Sequence, residues 1–362
     1  MPARDDSRFK VAAVQATPVY LDLDATVARA CERIAAAAHE GARLIVFPEA
    51  FVPGYPDWVW SVPIAERRVH ARLYAELVAN SVSVPSAATE RLASATREAG
   101  AYVVIGVNER NAEASGTSLY NSLLFFSPEG TLIAKHRKLI PTGAERLVWA
   151  QGDGSTLRVH DLPFGKLSAL ICWENYMPLA RYAMYAWGAQ IHVAATWDRG
   201  EPWISTMRHV AKEGRVFVIG TCQAFRRADV PERLELGRFY AADREWINVG
   251  DSVIVDPDGK IIAGPLHEQE GILYAEIESH ELVGPRWILD VAGHYARPDV
   301  FEFNVRRVER SVIGSGGDGP GEASASSDEH ARVNRRSKSG KRPRAGARKK
   351  SRLRRGTARR SR

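Results

Sequence analysis

Cysteine is scarce in this 362-residue sequence: Cys31, Cys172 and Cys222 stand far apart and are odd in number. That excludes a disulfide framework and makes the reducing cytoplasm the expected compartment. No apolar run reaches the roughly 18 residues that a membrane-spanning helix needs. The opening MPARDDSRFK carries two acidic residues and no apolar stretch, so a secretory leader is not expected. There is no Walker A sequence, no GxSxG elbow, no CxxC and no HExxH, and the ten histidines are scattered, which argues against a metal site. Gly314 to Gly319 (GSGGDG) matches GxGxxG in form, but it follows no strand and opens no helix, so it is not read as a nucleotide loop.

Negative charge is missing from one end. Residues 331–362 hold sixteen Arg or Lys and no Asp or Glu, which leaves 34 basic against 43 acidic side chains, or −9, in residues 1–330. The overall +7 therefore belongs to the tail, and a whole-chain argument for nucleic-acid binding fails. Composition sets three segments: a folded domain over 1–308, a Gly/Ser-rich linker over 309–330 and a basic tail over 331–362. The last two contain too little apolar surface to order themselves. Sixteen cations without aromatics would suit nonspecific contact with nucleic acid or an anionic membrane surface, and equally a solvated tail without a partner.

What is present is 45% hydrophobic, enough for a large core. Apolar strands are predicted at 9–16, 43–47, 102–107, 119–126, 131–135, 166–172, 190–194, 216–220, 251–255, 260–262 and 271–277. Helical spacing is predicted over 23–40, 63–80, 86–99, 178–187 and 203–213. Strands alternating with helices, then hairpins, indicate an α/β fold. So many strands exceed one small open sheet, and the expected architecture is a four-layer α-β-β-α sandwich of two mixed sheets flanked by helices.

Three strand ends carry chemistry. Cys172 ends an apolar strand and faces a loop, where open α/β sheets place their sites. A buried structural cysteine would look the same in isolation, and Cys31 and Cys222 fit that description. A nucleophilic thiol needs a nearby cation, and an acyl intermediate needs a base for water. Glu49 follows one strand across Pro48, and Lys138 follows another. Together they are the parts of a Cys–Glu–Lys hydrolase.

In these blocks the sequence resembles the nitrilase branch of the carbon–nitrogen hydrolase superfamily. The resemblance rests on FPEAFVPGYP (Phe47 to Pro56), HRKLIPTGAERLVWAQGDGS (His136 to Ser155) and ICWENYMPLARYAMYAWGA (Ile171 to Ala189), within about residues 9–303. It implies Cys172 as nucleophile, Glu49 as general base, Lys138 as the cation that stabilises the tetrahedral intermediate, and Glu145 as a second, positioning glutamate. Glu174 and Asn175 are read as braces of the loop. The implied reaction takes a nitrile to a carboxylic acid and ammonia through a thioimidate and a thioester, with no cofactor or metal, in a homo-oligomer. Aromatics near the strand ends, Tyr55, Trp173 and Trp197 among them, would suit aryl or arylaliphatic nitriles. An aliphatic amidase, a carbamoylase or a cyanide-degrading enzyme of the same superfamily is the alternative. The basic tail departs from the family's pattern.

Overall fold

The structure, a computed structural model, describes residues 8–310. The basic tail, the linker from residue 311 onward and the Gly314–Gly319 match lie outside the described residues. Thirteen strands are described: β1 (Arg8–Gln15), β2 (Ala42–Val46), β3 (Tyr102–Arg110), β4 (Leu119–Phe126), β5 (Leu132–Arg137), β6 (Val159–Leu162), β7 (Gly165–Ile171), β8 (Ile191–Thr196), β9 (Phe217–Cys222), β10 (Ala224–Arg226), β11 (Trp246–Val255), β12 (Ile261–His267) and β13 (Gly271–Glu278). The helices are α1 (Leu23–His39), α2 (Trp58–Ser61), α3 (Arg67–Ala79), α4 (Ala87–Ala99), α5 (Pro178–Ala186), α6 (Glu201–Gly214) and α7 (Val283–Ile288).

The strands form two mixed sheets, ordered β13-β1-β2-β3-β4-β5 and β10-β11-β9-β8-β7-β6, with β12 also on β11. In β1, Val11 and Ala13 face the second sheet, while Ala12 and Val14 face α1 and α4. In β7, Leu167, Ala169 and Ile171 face the first sheet, and Leu170 faces α5 and α6. Because strand side chains alternate faces, strands apolar on both faces need a cover on each side. The helices supply the outer covers, and the result is the expected four-layer sandwich. Each fully buried Val, Leu or Ile contributes about 1.5–3 kcal/mol of transfer free energy.

Helix ends follow local chemistry. The Asp22 side chain caps α1 by accepting from the Ala25 N–H, and Gly100 closes α4 in the left-handed region at φ 61°. Pro202 sits in the first turn of α6, where a missing N–H costs nothing.

Several elements differ from the sequence reading, β11, β12 and β6 among them. Strand β11 begins at Trp246, not Asp251, because Gly250 (φ 91°) and Asp251 (φ 69°) interrupt its alternation without ending it. Strand β12 runs on to His267 past Gly264-Pro265, which reads as a stop. Strand β6 lies between the predicted elements, where the sequence reading assigns nothing; it is four residues long and only Leu162 is buried, so it leaves no apolar signature.

Polar side chains peg the sheets together at one end. Gln15 accepts from the Ser252 N–H and donates to the Leu266 and Gln269 carbonyls. Thr221 donates to the Phe47 carbonyl, and Gln223 donates to that of Glu49 at 2.7 Å. This end is where β2, β5 and β7 deliver Glu49, Lys138 and Cys172.

Candidate active site

Glu49 stands just past β2, in the turn Pro48–Ala50. That turn lies directly on β3 at Gly106: a Cβ there would collide with the Pro48 carbonyl and the Ala50 amide. Lys138 follows β5, and its N–H donates to the Asn121 carbonyl at 2.8 Å, so β4 holds it in register. Glu145 lies in the short 3-10 turn Gly143–Leu147, where its Oε2 accepts from the Thr142 N–H at 2.6 Å. Cys172 is the first residue of the 3-10 turn Cys172–Tyr176, one position beyond β7. Its φ of 52° is left-handed, which for a non-glycine residue costs on the order of 1 kcal/mol and turns the thiol out of the strand's alternation.

The structure brings these four residues into one buried cluster. Lys138 Nζ lies 2.7 Å from Glu49 Oε1 and 2.8 Å from Glu145 Oε2, with every side chain at most 2% exposed. The Cys172 sulfur and one oxygen from each glutamate lie within 4.8 Å of one another. Among the described residues this is the one group of three potential metal-ligand side chains so placed, and the Lys138 ammonium already bonds both of its carboxylates.

Supporting contacts fix the two carboxylates unequally. Asn121 Nδ2 donates to Glu49 Oε1, the oxygen that also meets Lys138. Glu49 Oε2 is buried without a partner among the described residues. Glu145 is fully engaged, because Tyr55 donates to its Oε1 at 2.7 Å and Trp60 Nε1 in turn donates to the Tyr55 hydroxyl at 2.9 Å. One glutamate is thus locked while the other keeps a free oxygen.

Burial sets the electrostatics. It raises the Glu49 carboxyl to about 7, against the pull of Lys138, and Glu145 adds repulsion. The Cys172 thiol is pushed well above its ordinary value by burial and by Glu49, while Lys138 and the Thr196 hydroxyl favour the thiolate. For Lys138, burial opposes the charge, yet Glu49, Cys172 and Glu145 outweigh it and hold the ammonium strongly protonated. The arrangement can therefore take a proton from a thiol onto Glu49 while keeping a fixed positive charge beside the sulfur.

Of the aromatics singled out in the sequence, Tyr55 is buried and bonded to Glu145. Trp197 stacks on Tyr55 with centroids 4.4 Å apart. Trp173 is half-exposed and donates to Asp198 instead. A cavity of about 390 Å³ opens beside this layer, walled by Trp60, Trp197, Phe239, Tyr240 and Ile247, with Arg199 among its polar residues. Asn121 and Gln223 were not anticipated. Their sequence signal is a polar amide inside or just past an apolar strand, at residues that prove fully buried. The three cysteines are free, with Cys222 buried and Cys31 half-buried.

Comparison with known proteins is consistent over most of the chain. A family model described as carbon–nitrogen hydrolase matches residues 10–284. An aliphatic nitrilase of Sinorhizobium fredii is 44% identical over 310 residues, covering 85% of this chain and 98% of that protein. An arylacetonitrilase of Trametes versicolor is 41% identical over 314 residues, 82% of this chain and 97% of its own. Among solved structures, Nit3 of Saccharomyces cerevisiae, a member of branch 10 of the nitrilase superfamily, shares the fold with a TM-score of 0.62. It is 22% identical and covers 80% of this chain and 97% of that one.

Proposed function

Because the chain belongs to the carbon–nitrogen hydrolase family, in its nitrilase branch, we propose that it hydrolyses a nitrile to the carboxylic acid and ammonia with Cys172 as the nucleophile. The observation that carries this reading is the buried cluster itself: a thiol, a carboxylate with one free oxygen, and an ammonium held between two glutamates.

A nitrile carbon is a weak electrophile, so the reaction needs a strong nucleophile and support for charge developing on nitrogen. Glu49, through its unpartnered Oε2, takes the Cys172 proton as sulfur bonds to the nitrile carbon. Glu49 passes that proton to the nitrogen, so a thioimidate forms and the carboxylate is free again. Water, deprotonated by Glu49, adds to that carbon; the protonated nitrogen leaves as ammonia, and a thioester remains. A second water cleaves the carbon–sulfur bond, which gives the carboxylic acid and returns the thiol. Lys138, which stays protonated, and a backbone N–H near Trp173 face the negative charge at each tetrahedral stage. Glu145 holds Lys138 in place, and Tyr55 holds Glu145.

The aromatic walls of the 390 Å³ cavity beside Tyr55 support aryl or arylaliphatic nitriles as the substrate class. Self-association is also part of this reading: Trp173, Tyr176 and Leu179 leave apolar surface exposed on the Cys172 turn and α5. Among the described residues no helix is long and apolar enough to cross a membrane; the cytoplasm remains the proposed compartment on the strength of the free cysteines.

A panel of aryl, arylaliphatic and aliphatic nitriles beside the corresponding amides, read by ammonia release, tests the reading. Nitriles should release ammonia with wild type and not with Cys172→Ala. Release from amides alone would refute the nitrilase assignment.

A further inference from the structure

The catalytic cluster is assembled from both sheets. Lys138 stands at the end of β5 in the first sheet, and Cys172 at the end of β7 in the second. The Lys138–Cys172 spacing is therefore a distance between layers, and neither strand's own ladder sets it. Most of what surrounds the Cys172 turn acts within the second sheet. Asn175 Nδ2 donates to the Leu170 and Cys172 carbonyls at 3.1 and 2.9 Å. Asn175 Oδ1 is 2.8 Å from His192, whose other ring nitrogen is 2.8 Å from Ser168.

Glu174 differs. Its Oε2 accepts from the Ile171 N–H at 2.6 Å, the residue before Cys172. Its Oε1 accepts from the Leu139 N–H at 2.7 Å, the residue after Lys138. His136 Nε2, on β5, lies 3.1 Å from Oε2, and its Nδ1 is 3.1 Å from the Thr156 hydroxyl. One carboxylate, 1% exposed, thus binds the backbone next to both residues at once. Burial opposes its charge, but His136 and the two N–H groups hold its carboxyl below the ordinary range, so it stays an acceptor at both oxygens.

We propose that Glu174 is a positioning residue: a stitch between the sheets that fixes the Cys172 sulfur against the Lys138 ammonium and keeps the left-handed Cys172 backbone in place. This rests on the reading of Cys172 as nucleophile and Lys138 as its cation. A carboxylate is required because the stitch needs two acceptors aimed at two N–H groups. An amide offers one acceptor and sets its NH₂ against the other donor. Aspartate keeps the charge but is one methylene too short to reach both.

The test compares Glu174→Gln and Glu174→Asp with wild type and Cys172→Ala, with folding checked by circular dichroism. In folded variants kcat should fall about 10²-fold, the cost of a displacement near 1 Å, with KM little changed. Alkylation of Cys172 by iodoacetamide should also move to higher pH, because Lys138 favours the thiolate and has shifted away. A residue that only supports the fold would lower the melting temperature and leave the kcat of folded protein and the alkylation profile as in wild type; that result overturns the proposal. Activity that survives in Cys172→Ala would instead refute the nucleophile assignment, which separates the two failures. A readout on the wild-type chain covers the case in which both variants fail to fold. Hydrogen exchange at Leu139 and Ile171 should be slow and should accelerate together; rapid exchange at Leu139 alone contradicts the stitch.

Discussion

Lys138 reaches Glu49 through a single carboxylate oxygen, Oε1 at 2.7 Å, and the opposite oxygen is left buried without a partner. Buried carboxylate oxygens are ordinarily hydrogen-bonded, so the unpartnered one stands out. One free oxygen in a closed site is a place for a transferred proton. Glu49→Gln keeps the shape and removes the acceptor, so kcat should drop about 10²–10⁴-fold, the usual weight of a general base. Steady-state ammonia release checks this.

The pH profile follows from the same carboxyl. Glu49 titrates near 7, raised by burial, and must be ionised to take the thiol proton. Activity should therefore be complete above that pH and should fall about tenfold per unit below it. A profile of kcat/KM from pH 5 to 9 tests the direction and the midpoint.

Removing the ammonium exposes two carboxylates to each other. Lys138→Gln leaves Glu49 and Glu145 buried with like charge, and it should destabilise the fold by about 3–5 kcal/mol at neutral pH, as for other broken buried pairs. The sign with pH is definite. Glu49, raised by burial, binds more protons in the folded state than in the unfolded chain, so the variant's stability should fall as pH rises from 5 to 8. Urea unfolding at several pH values measures it, and loss of ammonia release should accompany the change.

Gly106 should tolerate no side chain although it touches no substrate. Its missing Cβ is the space that the Pro48–Ala50 turn occupies, and both obstructing groups are backbone. Gly106→Ala should cost about 1–3 kcal/mol of stability, typical of overpacking, and it should shift Glu49 enough to lose most activity. Thermal melting beside kcat distinguishes this from a simple folding defect.

Much of this was legible in the chain because its signals are local. Apolar strands, interrupted by turn residues, gave the two-sheet class, and Glu49, Lys138 and Cys172 each stand just past a strand. Glu145 stands seven residues after the lysine. Interactions between distant segments were not legible. Nothing near Glu174 in the sequence says that its carboxylate meets the Leu139 amide, 35 residues earlier. The bend at Gly250-Asp251 hides half of β11 from a period-two reading, since two left-handed residues re-aim the side chains that follow. The sequence marks Tyr55 as an aromatic near the site but not that its hydroxyl donates to Glu145, because a phenol offers both an apolar body and a hydrogen-bond donor.

The tail lies outside the described residues and stays a proposal. A chain ending after Arg310 should keep the kcat of the full-length protein. The full chain alone should be retained on DNA in a salt-dependent way, as counterion release requires. Equal retention of both chains would remove the tail from consideration.

The most direct test is the mass of the Cys172 peptide in enzyme quenched with acid during turnover of a slow nitrile. The expected result is a peptide heavier by the substrate's acyl group, formed on Cys172, together with no adduct and no ammonia in Cys172→Ala. An unmodified Cys172 peptide, with turnover persisting in Cys172→Ala, would contradict covalent catalysis at this thiol.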